Sequence, residues 1–282
     1  MWVGHRTVSD VELYTARAGN PADPPLLVIH GGPDWDHTYL RTPLDRLADS
    51  KHLLLPYLRG CGRSARDLPA ESYRPDAVVA DLLAILDDLG IGATDVLGFS
   101  YGGLLAQRLA VTAPGCVRRL IIASSSILPI PPDSYRDWPE RNALAAAETA
   151  VWSDPAIAGP ERTRAAALAG ARANIWRAEA LPELFERLHA VWFSAEWDRA
   201  RRSGLLPSAR LEDPVRSLAR TEIPILLLHG RNDMIFPYRD TVELLTDLLR
   251  ITTHEARRRI EYAAPQPRTR SRKVWRVLAA AS

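Results

Sequence analysis

Ser100 is flanked by glycines two residues away on each side, in Gly98-Phe99-Ser100-Tyr101-Gly102-Gly103. A serine pushed out at the tip of a tight turn needs neighbours without side chains, and its hydroxyl is then free to attack a carbonyl carbon. Two further stretches carry matching chemistry. His30-Gly31-Gly32-Pro33 is a small-residue loop in which the N–H of Gly32 can approach an anion, opposite the N–H of Tyr101. Asp233, in His229-Gly230-Arg231-Asn232-Asp233, is a carboxylate able to orient an imidazole. Together these residues point to acyl transfer: Ser100 as nucleophile, Gly32 and Tyr101 as oxyanion donors, Asp233 as the acid.

Each of these groups should stand at the end of a buried strand. The run at 26–29 has the continuous apolar character of a strand covered on both faces, and 53–58, 96–97, 117–123 and 223–228 read as further strands of the same sheet. Helical periodicity follows at 75–89, stopping at Gly90, and at 104–112 after Ser100. Residues 7–18 alternate apolar and polar around Ser9-Asp10, as in two strands joined by a tight turn. Strand and helix alternate, which predicts a doubly wound, mainly parallel sheet.

That alternation stops after Ser126. From 127 to 220 there is no strand signal; helical stretches are expected near 144–151, 162–176 and 181–193, and five of the eight tryptophans lie there. The chain thus divides into core (1–126), helical cap (127–220) and returning core (221–282). Further on, a helix is expected at 242–249, a last strand at 258–262 and a last helix at 274–281.

Composition narrows the function. With 282 residues and 46% hydrophobic content, the chain can bury one large domain. A formal charge of +2 argues against nucleic acid as partner, since phosphate binding needs a clustered basic surface. No apolar run reaches membrane-spanning length, and the first residues lack the apolar core of a secretion signal, so no membrane association and a cytoplasmic location are expected. Cys61 and Cys116 read as free thiols. No His, Cys and carboxylate cluster has metal-ligand spacing and no phosphate loop is present, so no cofactor is expected, and the partner should be a small-molecule substrate.

These segments, with Arg59-Gly60-Cys61-Gly62-Arg63-Ser64, resemble the α/β-hydrolase fold and, within it, the prolyl-iminopeptidase-like group. The resemblance implies the same roles for Ser100, Gly32, Tyr101 and Asp233. Two departures stand out. Tyr57-Leu58 occupy positions where the group usually has Asp-Gln. The loop after the last strand, where the fold carries its catalytic histidine, reads Ala263-Ala264-Pro265-Gln266-Pro267-Arg268. Counting back from a helix at 274–281 puts the missing histidine near Pro265. His254 would lie before the strand and His37 on a surface helix, at the rim of the site with Asp34 and Asp36. Glu140, Glu148, Glu179 and Glu196 read as helix-surface carboxylates. Three activities fit this pattern: a serine hydrolase of a small amide, ester or lactone; a non-hydrolytic, cyclase-like biosynthetic member of the fold; and a binding protein with a dead site.

Overall fold

The computed structural model describes residues 1–243 and 245, and the strand backbone of 275–280. Its centre is an eight-stranded sheet: β1 (Val3–Val8), β2 (Glu12–Ala18), β3 (Pro25–Ile29), β4 (His52–Pro56), β5 (Thr94–Phe99), β6 (Val117–Ala123), β7 (Ile225–Gly230) and β8 (Trp275–Ala280). The spatial order is β1-β2-β4-β3-β5-β6-β7-β8. β1 with β2 and β2 with β4 are antiparallel, and every later pair is parallel. This is the doubly wound sheet expected from the sequence.

Alternate residues of each central strand serve opposite layers. Leu27, Ile29, Leu54, Val96, Leu120 and Ile122 pack with Val78 and Leu82 of α2 (Pro75–Asp88) and Leu105 and Leu109 of α3 (Tyr101–Thr112). Leu26, Val28, Leu53 and Leu55 face the other way, onto Tyr39 and Leu40 of α1 (Thr38–Leu44). Two-sided burial explains why these strands read as unbroken apolar runs.

Between β6 and β7 the chain is helical: α4 (Pro139–Ser153), α5 (Gly159–Ala169), α6 (Leu181–His189), α7 (Glu196–Arg202) and α8 (Pro214–Thr221). Leu184 and Leu188 of α6 and Phe193 join the second apolar layer, whereas Leu218 of α8 joins the first. The expected helix at 162–176 divides at Gly170 into α5 and a short 3-10 turn, Ala171–Asn174.

The C-terminal reading is corrected. Residues 275–280, expected within a helix, form β8, in parallel register with β7 from Ile225↔Trp275 to Gly230↔Ala280. The stretch Trp-Arg-Val-Leu-Ala-Ala suits either state locally, and pairing with the free side of β7 decides it. The count that put the missing histidine near Pro265 therefore loses its anchor, because residue 265 precedes the edge strand. The expected strand at 258–262, Pro265 and His254 lie outside the described residues, as does most of the helix expected at 242–249, whose start falls in a π-helical turn, Arg239–Glu243.

Candidate active site

Ser100 sits between β5 and α3 with φ 52° and ψ −121°, a conformation that L-residues other than glycine rarely hold. Such strain costs of order 1–3 kcal/mol and persists only where the surroundings impose it. They do so here. A Cβ on Gly102 would lie 2.1 Å from the Ile29 carbonyl oxygen, so α3 starts hard against the end of β3. One on Gly31 would lie 2.6 Å from Ser100 Cβ and 3.2 Å from its Oγ, so the loop after β3 passes directly beside the hydroxyl.

That loop is tied down on all sides. Gly31 N donates to Tyr39 Oη at 3.1 Å, and Trp35 N donates to Gly32 O at 2.6 Å. His30 is fully buried; Leu58 N donates to its Nε2 at 3.3 Å, so Nδ1 carries the proton donated to Gly31 O at 3.0 Å. Burial lowers the pKa of this imidazole, in keeping with the neutral ring. Tyr101 opens α3, where the first N–H groups have no intrahelical acceptor, and Gly103 N turns back onto Ser100 O at 2.9 Å.

Asp34 and Asp36 are not rim residues: both are buried, and both reach the helical segment. Asp34 Oδ1 accepts from Ser194 Oγ at 2.8 Å and Trp197 N at 2.9 Å, and its Oδ2 from Asp198 N at 2.8 Å. Asp36 Oδ2 accepts from Trp192 N at 3.0 Å. Trp197 in turn packs edge-on against Tyr73 and Tyr101 and donates from Nε1 to Arg59 O at 2.8 Å. The Arg-Gly-Cys-Gly-Arg-Ser loop is therefore fixed from within, without the usual Asp-Gln: Arg59 makes two bonds to Asp81, at 2.7 and 2.6 Å, and Ser64 Oγ donates to Tyr57 O at 2.7 Å.

Glu196 also departs from expectation. It is 9% exposed and accepts from Tyr73 Oη and Asp67 N, so it is a buried strut rather than a surface carboxylate. Neither it nor α7 could be found from periodicity, because their partners lie more than 120 residues away in sequence. The pair of aspartates straight after a glycine loop was the available signal.

Ser100 and Asp233 line one cavity of about 280 Å³, together with Phe99, Ser124, residues 173–177 and Phe236. Asp233 Oδ1 accepts from Ile235 N and Phe236 N at 2.9 and 2.8 Å. Its Oδ2 is 3.6 Å from Nε2 of His229, a buried ring whose Nε2 donates to Phe236 O at 2.6 Å. Gly32 and Tyr101 line a second cavity of about 660 Å³, which has Asn174 and Ile235 in common with the first as lining. No described histidine lines either cavity. His37 in particular is not on the surface: it is wholly buried against Tyr57, with ring centroids 4.1 Å apart, and neither ring nitrogen has a hydrogen-bond partner among the described residues. Among the described residues no group of three metal-binding side chains occurs, and no helix is long and apolar enough to cross a membrane.

A strained serine turn beside a glycine loop, with a carboxylate after the next strand but one, sits at one end of a parallel sheet wound on both faces. A family model described as the alpha/beta hydrolase fold matches residues 24–264, and the chain belongs to that family. It is 32% identical over 155 residues to the Rhodomycin D methylesterase DauP of Streptomyces sp. (strain C5), covering 54% of this chain and 48% of that relative. The match thus spans about half of that relative's length. A longer match, 29% identical over 82% of this chain and 77% of the relative, is to the 2-hydroxymuconate semialdehyde hydrolase of Pseudomonas sp. (strain CF600). Among solved structures, a proline iminopeptidase-related protein of Thermus thermophilus superposes with a TM-score of 0.60 at 22% identity, covering 89% of this chain and 87% of that one. The two relatives are named as hydrolases, and the structural neighbour is described as proline iminopeptidase-related, the group that the sequence resembles.

Proposed function

We propose that the chain is a serine hydrolase that cleaves a small carboxylic ester, amide or lactone by acyl transfer. Ser100 is its nucleophile, Asp233 its triad acid, and the N–H groups of Gly32 and Tyr101 its oxyanion donors. The observation that carries this reading is the strained backbone of Ser100 at the lip of a cavity shared with Asp233. Holding a non-glycine residue at φ 52° costs stability, and here that cost is retained at a half-buried serine that lines a cavity. The segment 127–220 serves as the cap: residues 173–177 line the cavity over Ser100, and Asp34 and Asp36 fasten the cap's 192–198 stretch to the oxyanion loop. Ser100 Oγ attacks the carbonyl carbon while the two N–H groups hold the oxyanion, the bond to the alcohol or amine breaks and that group takes up the serine proton, and water then cleaves the acyl-serine, releasing the acid and restoring the hydroxyl.

Three of the described histidines near the site are committed elsewhere. His30 has both ring nitrogens engaged, His37 is sealed and His229 is turned onto Phe236 O. Labelling with a fluorophosphonate tests the reading directly: wild-type protein should be modified at Ser100, and Ser100→Ala should not. Unchanged labelling of Ser100→Ala, or none of the wild type, would sink it. Labelling without turnover of any ester would favour the non-hydrolytic, cyclase-like alternative, because oxyanion stabilisation survives loss of the base.

A further inference from the structure

The two cavities differ in size and in what faces them, and the difference gives the reaction a direction. This inference rests on the serine-hydrolase reading. The larger cavity, about 660 Å³, lies on the side of Gly32 and Tyr101; Trp35, Leu104, Trp152 and Trp197 give it apolar walls, and Glu148 and Arg201 also line it. The smaller, about 280 Å³, lies on the side of Asp233. Ser100 lines the smaller one, and Gly31, one residue before Gly32, runs against its hydroxyl. A carbonyl carbon attacked by Ser100 Oγ, with its oxygen toward Gly32 and Tyr101, therefore has one cavity on each side, with Asn174 and Ile235 lining both.

The leaving oxygen must receive a proton, and the group that supplies it is the one a triad acid orients, so the leaving group belongs on the Asp233 side. The acyl chain is then directed into the larger cavity. We propose that this aromatic-walled chamber is the acyl site, and that the preferred substrate is an ester joining a bulky, mainly apolar acid, of the size of two fused rings or more, to a small alcohol. In the first step Ser100 Oγ bonds to the carbonyl carbon and the bond to the alkoxy oxygen breaks. The serine proton ends on that oxygen, releasing the alcohol. Water then adds to the acyl-serine, freeing the carboxylic acid and restoring the hydroxyl.

Two isomeric esters test the direction without a difference in leaving-group activation: methyl 2-naphthylacetate and 2-naphthylmethyl acetate carry the same groups on opposite sides of the carbonyl. The first should have the higher kcat/KM, by tenfold or more. Bulk added to the chamber should erase that preference through the KM of the methyl ester, using Ala166→Phe and, in case the buried site does not tolerate it, Ser208→Trp on the exposed loop that lines the same cavity. Equal rates, a preference for the acetate, or a preference that survives both variants would overturn the assignment. So would turnover of p-nitrophenyl acetate, together with labelling of Ser100, when neither naphthyl ester is cleaved. Loss of labelling and of all turnover is a different result: it removes the serine-hydrolase reading itself, and the acyl site with it.

Discussion

Asp34 holds Trp197: its Oδ1 lies 2.9 Å from the Trp197 backbone nitrogen, joining the loop beside Ser100 to a helix 163 residues further along the chain. The same carboxylate accepts from Asp198 N and from Ser194 Oγ, so it caps α7 through two N–H groups and holds Ser194, just before the helix, through a third donor. Burial raises the pKa of Asp34, and these donors offset part of that cost. Asp34→Ala should leave three buried donors unsatisfied and cost about 3 kcal/mol. Asp34→Asn, which keeps one acceptor oxygen, should cost less. Thermal melts of the two variants check the order, and equal midpoints for Asp34→Ala and wild type would refute it.

Strain at Ser100 predicts an unusual gain. Glycine occupies φ 52°, ψ −121° readily, whereas alanine pays the same steric penalty as serine. Ser100→Gly should therefore be more stable than Ser100→Ala by roughly 1 kcal/mol, with both unlabelled by fluorophosphonate. Denaturant titration of the pair reads the difference. A Ser100→Gly variant no more stable than Ser100→Ala would mean that the backbone relaxes once the hydroxyl is gone.

Much of this was legible because the signals are local. The strand expected at 117–123 is found at those limits as β6, and the helix expected at 75–89 ends one residue earlier, because the apolar stretch Leu120-Ile121-Ile122-Ala123 and the helical period ahead of Gly90 are both local patterns. What escaped is what other parts of the chain decide. α7 has two acids and three arginines in seven residues and owes its place to Asp34 rather than to periodicity. β8 has a helix-compatible sequence and is a strand through its partner β7. The site followed the same division. Ser100 and Asp233 both line one cavity and follow strands that local patterns mark, whereas the buried positions of Asp34, Asp36, His37 and Glu196 depend on contacts that no local pattern announces.

Acid should weaken the fold through His37. Desolvation holds its pKa well below the usual value, with Arg41 and His30 adding repulsion of the charged form. The folded protein thus binds fewer protons than the unfolded chain just below the unfolded pKa of about 6.5. The stability contributed by the neutral ring is fully present above that pH and is lost as pH falls through it. His37→Phe keeps an aromatic ring against Tyr57 and removes two unpartnered nitrogens. It should match or exceed wild-type stability at about pH 7.5 and flatten the fall in Tm between roughly pH 7 and 5. An unchanged pH slope would assign the effect elsewhere, His30 first.

Asp233 separates catalysis from folding. Its Oδ1 bonds to Ile235 N and Phe236 N can survive in Asp233→Asn, so that variant should fold with a Tm within a few degrees of wild type. If Asp233 orients the base, ester turnover should drop by about 10³–10⁴. Ser100 should still label, but slowly. Full activity in Asp233→Asn would show that the carboxylate only braces the turn after β7.

Arg59 is the test of how the second loop is held. Its side chain is 2% exposed, and Asp81, at 4%, faces it with both oxygens, at 2.7 and 2.6 Å from Nε and Nη2. The guanidinium also donates to Ser72 O at 2.9 Å, and its carbonyl receives Trp197 Nε1, so the pair stands beneath the aromatic wall of the larger cavity. Burial pushes the Asp81 pKa up while Arg59 pulls it back, the balance of a desolvated ion pair. Removing Asp81 leaves the buried guanidinium only the exposed Asp10, 3.3 Å from Nη2, so Asp81→Ala should cost about 3 kcal/mol. Removing both is a different matter. Arg59→Met with Asp81→Leu discards the desolvation penalty along with the attraction, and should recover most of that loss. A double-mutant cycle followed by denaturant unfolding measures it. If the double variant is as unstable as the sum of its parts, the pair is not coupled, and the loop owes its shape to Ser64 and Tyr57 instead.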